Sequence, residues 1–206
     1  MSIVEDIVLG GTVSSVYDIG TDHAFLPIWL VTNGICERVA ATDIKAGPLK
    51  KAMGNIAKHG VAGQIAVYEG DGFCAIPAME AGSYVIISGV GGILLTEIIN
   101  RGAEKAKIAG TIALQPMNNV PYLRQWLNEN GYRVKYEKLA VEDRRIYNLL
   151  FCEYKGISES YTCADYLIGK RFANCSENVY RMYIEKITRR LKKEAEGLSK
   201  RMNMEK

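Results

Sequence analysis

Between Val16 and Gly131, short apolar runs alternate with helix-patterned segments, and few architectures accept that rhythm. Val16 to Ile19 reads as a strand and Ala24 to Asn33 as a helix closed by Gly34, a residue suited to a left-handed cap. Further strands are expected at Arg38 to Asp43, Ile65 to Glu69, Ser83 to Ser88 and Gly110 to Leu114. Helices are expected at Gly47 to His59, after Ser88 to about Asn100, and at Val120 to Asn130. Such alternation predicts an α/β fold, with parallel strands and crossover helices on both faces of one sheet. After Gly131 the pattern changes, because Tyr132 to Ala140 and Ile146 to Tyr154 are strand-like runs with only Val141 to Arg145 between them. That spacing predicts an antiparallel hairpin at the sheet edge. A dinucleotide-binding domain would continue with parallel strands instead.

The first strand runs into Gly20 with acids on either side, at the position where a doubly wound sheet holds a nucleotide-like ligand. One glycine stands where a pyrophosphate fingerprint needs three, and Asp18 and Asp22 would repel phosphates. A ligand carrying a cation and an amino group suits these carboxylates, and S-adenosylmethionine, with its sulfonium and α-ammonium, is such a ligand. Asp18 would accept from the ammonium, with Gly20 letting the backbone approach the methionine part and with Asp22 and His23 beside it. Asp43 closes the second strand, where an acid usually takes ribose hydroxyls. Asp71, between Gly70 and Gly72, follows the third strand, where the cofactor's adenine would lie. Ser88, Gly89, Val90, Gly91 and Gly92 follow the fourth. They offer backbone polar groups to a planar target base or form a tight strand-to-helix turn, and the residues leave both readings open. As a nicotinamide fingerprint the run lacks its third glycine, because Leu94 stands there.

The segment Asp18-Ile19-Gly20-Thr21-Asp22-His23-Ala24-Phe25-Leu26-Pro27 resembles the opening motif of the bacterial tRNA adenine-22 N1-methyltransferases, the TrmK family, which reads D-I-G-[ST]-D-H-x-x-L-P. Four further blocks are similar to that family in order and spacing. They are Gly70-Asp71-Gly72; Ser88 to Gly92, where the family usually reads A-G-M-G-G; Leu114-Gln115-Pro116 with Leu123 to Leu127 and Gly131-Tyr132; and Glu142-Asp143-Arg144-Arg145-Ile146-Tyr147. The family usually opens with a longer amphipathic helix than fits before Val16. The resemblance implies a Rossmann-like class I S-adenosylmethionine-dependent methyltransferase acting on adenine N1 at position 22 in the D arm of tRNA. Asp18, Gly20, Asp22, His23, Asp43, Asp71 and Gly72 would then hold the cofactor, and Ser88 to Gly92 with His23 would face the target base. Adenine N1 has a free lone pair and carries no proton to remove, so no general base is required. The residues alone leave room for another RNA base, a small-molecule substrate, or an RNA-binding protein that keeps the fold without catalysis.

Charge is unevenly placed. Residues 169 to 206 carry 11 Lys and Arg against 5 Asp and Glu, a net +6 in a chain whose formal charge is +3. In that segment Ile184, Ile187, Leu191, Leu198 and Met202 recur at helical spacing with basic residues on the other faces. A basic helical or coiled-coil extension over residues 156–206 is expected beyond a methyltransferase domain of 1–155, with Asn174 to Ser176 as a turn. Arg181, Lys186, Arg189, Arg190, Lys192 and Lys193 would meet tRNA phosphates there. Cys36, Cys74, Cys152, Cys163 and Cys175 show no C-x-x-C spacing and no nearby histidine pair, so buried free thiols are expected and no metal. No apolar run approaches the roughly 20 residues of a membrane span. Glu5 and Asp6 interrupt the N-terminal apolar residues with no basic run ahead, so a cytoplasmic location is expected. Oligomeric state is left open.

Overall fold

The computed structural model describes residues 13–143 and 145–204, with side chains as far as 200. Glu5, Asp6, Arg144 and the side chain of Met202 lie outside what is described. Five parallel strands, β1 (Val13–Ile19), β2 (Cys36–Asp43), β3 (Ile65–Glu69), β4 (Tyr84–Val90) and β5 (Thr111–Pro116), precede the hairpin of β6 (Tyr132–Glu142) and β7 (Arg145–Tyr154). Across the sheet the order is β3-β2-β1-β4-β5-β7-β6. The hairpin is where the sequence places it. Its later strand, β7, is slotted antiparallel between β5 and β6, leaving β6 at the edge.

Two layers of helix cover this sheet. Val16, Ala41, Ile86 and Phe151 pack with Ile28 and Leu30 of α1 (Phe25–Thr32) and with Ala52 and Ile56 of α2 (Ala46–Lys58). Ile19, Ile87, Leu114 and Leu150 pack instead with Leu95 and Ile99 of α3 (Gly92–Arg101) and with Leu123 and Leu127 of α5 (Val120–Glu129). Ile86 and Ile87 therefore fill opposite layers, as the two-residue period of a strand requires. Both are fully buried, and each such side chain contributes about 1.5–3 kcal/mol. Strands covered on both faces read as unbroken apolar runs, so they were visible in the sequence.

A short helix, α4 (Ala103–Ile108), was not expected, because six residues are too few to display a helical period. It is tied down by Lys105, whose Nζ donates to the Phe73 carbonyl at 2.9 Å. Of the five cysteines, only Cys36 and Cys152 are buried; Cys74 and Cys163 are exposed and Cys175 is intermediate, which corrects the expectation for three of them.

The C-terminal segment begins with α6 (Cys163–Ile168), started by a capping box in which Thr162 and Asp165 satisfy each other's backbone N–H groups. Residues 171–173 then run beside β6, with the Ala173 N–H donating to the Glu137 carbonyl at 2.8 Å. Asn174 turns the chain at a φ of 50°, and α7 (Glu177–Met204) follows as one continuous helix of 28 residues. Tyr183 and Ile187 bury against Ile146, whereas Leu191 and Leu198 are exposed. The apolar stripe is thus covered only in the first half of α7. Among the described residues, no helix is long and apolar enough to cross a membrane, and no group of three or more His, Cys, Asp and Glu side chains could hold a metal ion.

Candidate active site

The sheet order reverses between β1 and β4, and the carboxyl ends of β3, β2, β1 and β4 stand side by side there. Three inter-strand steps span about 14 Å, enough for an extended nucleoside with an amino-acid arm. Asp18 is the penultimate residue of β1, buried just short of that edge. Burial pushes its carboxyl up to about 6, and a hydrogen bond from the Thr21 side chain opposes the rise. Gly20 turns at a φ of 85° with open space where a side chain would stand, while its N–H and that of Thr21 both reach the Thr42 carbonyl at 2.8 Å. The turn is pinned from below and open above, where a ligand backbone would lie.

Asp22 and His23 continue the loop. The His23 ring lies 3.3 Å from the Asp22 carboxylate and 5.6 Å from the ring of Phe25, and the His23 carbonyl accepts from Asn55 Nδ2 at 3.0 Å. Asp22 is 74% exposed, so its charge is well solvated. Asp43 ends β2, and one of its oxygens accepts from the Lys45 N–H at 2.8 Å, which fixes the carboxylate without exhausting it. Asp71 is differently placed: Arg101, from the last turn of α3, grips both its oxygens at 2.8 and 3.2 Å. An adenine amino group would have to share this carboxylate with a guanidinium. Gly72 is buried against Ile98 and Ile19.

Within the run from Ser88 to Gly92 the glycines differ in what they face. Pairing between β4 and β5 slips at Gly89, whose φ is 78° and whose N–H leaves the ladder to donate to Gln115 Oε1 at 2.9 Å. A Cβ on Gly89 would meet nothing within 4 Å, so this bulge faces open space. Gly91 and Gly92 instead answer to packing, since a Cβ would come within 2.9 Å of Asn118 Oδ1 and 2.8 Å of the Asn118 and Asn119 carbonyls. Val90 packs partly into the core. Gln115 had no role assigned from sequence; the signal was a polar residue just where an apolar strand ends. Phe25, Ile44, Ile93, Leu94 and Met117, each close behind a strand's carboxyl end, expose apolar side chains around the same edge.

The basic residues of α7 are spread around the helix. Lys186 and Arg190 line a cleft shared with the β5–α5 loop and the start of β7. Arg181 and Lys192 project from the opposite side of the helix, Arg181 paired with Glu177 at 2.9 Å, and Arg189 and Lys193 flank the cleft-facing row. Beneath α7 lies a buried guanidinium that sequence reasoning passed over. Arg124, in α5, binds both oxygens of Glu137, the carbonyls of Tyr166 and Leu167, and the Tyr183 hydroxyl.

A profile of the TrmK family, tRNA (adenine(22)-N(1))-methyltransferase, matches residues 16–206. The chain belongs to this family. It is similar to tRNA (adenine(22)-N(1))-methyltransferase of Bacillus subtilis, with 33% identity over 79% of this chain and 70% of that protein. Among solved structures, it superposes on Mycoplasma capricolum TrmK bound to S-adenosyl-homocysteine with a TM-score of 0.78 and 28% identity, over 94% of this chain and 85% of that one. Streptococcus pneumoniae Sp1610, in complex with S-adenosyl-L-methionine, gives a TM-score of 0.79 and 28% identity over 97% and 89%. The fold is that of Rossmann-like methyltransferases, with a C-terminal helix.

Proposed function

We propose that this TrmK-family chain transfers the methyl group of S-adenosylmethionine to N1 of adenine 22 in tRNA. The observation that carries the reading is the buried Asp18 carboxylate beneath the open Gly20 turn, at the point where the strand order reverses. A buried acid with a raised pKa suits a cationic partner, since an ammonium group would stabilise its ionised form. The site fits the cofactor, which supplies an electrophilic methyl group and leaves as a neutral thioether. Asp18 would take the ammonium and Asp43 the ribose hydroxyls. Asp22 and His23 would flank the methionine part, and Gly72 with Asp71 would bound the adenine.

The target base would enter against Gly89, whose bulge is open and held by Gln115. Backbone carbonyls of Ser88 to Gly92 would face the positive charge that develops on adenine, while the apolar rim would exclude water. The work required of the chain is alignment of N1, methyl carbon and sulfur. Basic side chains of α7, among them Arg181, Lys186, Arg189, Arg190, Lys192 and Lys193, would contact tRNA phosphates, and extrusion of the base would cost a few kcal/mol. We also retain residues 1–155 and 156–206 as the two units of the chain, and a cytoplasmic location as that of its tRNA substrate. The test is mass spectrometry of nucleosides from tRNA treated with protein and S-adenosylmethionine. One 1-methyladenosine per tRNA is expected, lost when adenine 22 is replaced by guanine. Methylation that survives that replacement would refute the assignment.

A further inference from the structure

At the end of β4, the side chain of Gln115 does the work of a backbone carbonyl. The bonds between β4 and β5 alternate from the Thr111 N–H, which meets the Ser83 carbonyl at 3.3 Å. With Tyr84 opposite Thr111 and Ser88 opposite Gln115, that alternation would bring the Gly89 N–H to the Gln115 carbonyl. It goes instead to the side-chain Oε1 of the same residue, at 2.9 Å. Pairing resumes one residue late, with Val90 opposite Pro116 and the Met117 N–H on the Val90 carbonyl at 2.9 Å. One side chain thus closes the gap that the bulge opens. Its amide is oriented in turn, since Nε2 donates to the Pro116 carbonyl at 3.2 Å and reaches Met117 Sδ at 3.9 Å, which leaves the oxygen for Gly89. Gly89 is exposed and a Cβ there would meet nothing within 4 Å, so its backbone is the part an incoming base would touch. That backbone has one donor and one acceptor. With the N–H spent on Gln115, Gly89 has its carbonyl to offer.

Resting on the proposed function, we infer that Gln115 is a positioning residue for methyl transfer and for the choice of adenine: by taking the Gly89 N–H it keeps that donor off the N1 lone pair and holds the Gly89 carbonyl ready for the N6 amino group. The lone pair must stay unshared until it bonds the methyl carbon, as sulfur departs with the electron pair of the C–S bond. Positive charge then spreads from N1 onto N6, and a carbonyl already accepting from N6 stabilises it. Guanine carries the acceptor O6 where adenine carries N6, so two acceptors would face each other.

The experiment compares full-length wild type with Gln115→Met, similar in length but without a strong acceptor, and with Gln115→Glu, whose carboxylate accepts the same N–H. Single-turnover methylation is followed at saturating S-adenosylmethionine over a range of unmodified tRNA transcript. Gln115→Met is expected to lower the maximal rate about 10- to 100-fold, and Gln115→Glu to recover most of that loss. The half-saturating tRNA concentration should change little, because phosphate contacts elsewhere dominate tRNA affinity. Calorimetric affinity for S-adenosyl-homocysteine checks that each variant is folded. A second measurement needs no variant: in wild type the Gly89 amide should exchange with deuterium about tenfold more slowly than an unbonded glycine amide. An unchanged maximal rate in folded Gln115→Met, a loss confined to tRNA affinity, or a freely exchanging Gly89 amide overturns the inference. If wild type still methylates adenine 22, each of these results leaves the proposed function standing; wild type that leaves adenine 22 unmethylated overturns both.

Discussion

The guanidinium of Arg124 and the carboxylate of Glu137 meet at 2.7 Å, both shielded from water, at the point where α5, β6, α6 and α7 converge. Neither charge could stay there alone. The same guanidinium satisfies the last carbonyls of α6 and the hydroxyl of Tyr183, so one side chain welds the C-terminal segment to the sheet.

Arg124→Leu is expected to cost about 3 to 5 kcal/mol, because it strands the Glu137 carboxylate and two helix-end carbonyls in a dry site. Arg124→Lys should recover little, since an ammonium cannot reproduce the planar fork. Urea unfolding compares the three proteins, and a loss below 1 kcal/mol in Arg124→Leu would show that the pair is not holding the segment.

Asp18 carries a pH signature. Its carboxyl sits at about 6 in the fold against 3.8 for the free group, so the folded chain binds the proton more tightly. The stability this lends is complete below about pH 3.8 and is lost as pH rises through 6. Asp18→Asn, which mimics the protonated form, should therefore be more stable than wild type by about 3 kcal/mol at pH 8, with the gap closing towards pH 4. A gap independent of pH would place the burial cost elsewhere.

The same titration governs the cofactor. Wild-type affinity for S-adenosylmethionine should climb from pH 5 to pH 7 as Asp18 ionises, then level. Removing the charge-assisted bond in Asp18→Asn should weaken binding roughly ten- to more than a hundredfold at pH 8. Asp43→Ala should weaken it less, because ribose hydroxyls are neutral partners. Calorimetry across pH decides, and the reverse order would exchange the ligand ends assigned to β1 and β2.

Gly92→Ala should impair methyl transfer and stability together. Its Cβ would lie 2.8 Å from two backbone carbonyls, which cannot swing aside as a side chain would. A loss of about 1 to 3 kcal/mol is expected from such crowding, read by thermal unfolding beside single-turnover rates. Full activity in this variant would mean that the β4 and β5 loops move apart freely.

Ending the chain after Leu191 should leave unfolding and cofactor affinity nearly unchanged, because residues 192–200 of the helix are all exposed. Loss of Lys192 and Lys193 should still flatten the salt dependence of tRNA binding, by roughly 0.7 to 0.9 per lost contact. An unaltered slope would limit the RNA surface to the first half of α7. Cutting at Ser158 is a different experiment, since it strips the partners of Arg124.

Strand positions were legible because burial on both faces leaves apolar runs, and Gly34 marked a helix end. The placement of Asp18, Gly20 and Asp43 at strand ends was legible for a related reason: once the strands are marked, the residues that close them fall along one edge of the sheet. Asp71 showed the limit of that logic, because its partner Arg101 is 30 residues away and no local pattern announces the pair. Arg124 was hidden more thoroughly. An arginine in an amphipathic helix reads as solvated, and only the returning segment at Tyr166 and Leu167 makes it buried. The cleft beside Lys186 and Arg190 draws on β5, β7 and α7 at once, so it exists only after folding.

The slotting of β7 between β5 and β6 sets an order of assembly. A ribosome delivers β6 before β7, yet β6 has no neighbour in the sheet until β7 arrives to bridge it to β5. Through that interval the nascent chain carries eleven residues of β-prone sequence with an unpaired edge, while β5 waits equally open. Translation speed across residues 132–154 thus bears on yield, and a pause placed between the two strands would lengthen the exposure that invites misassembly.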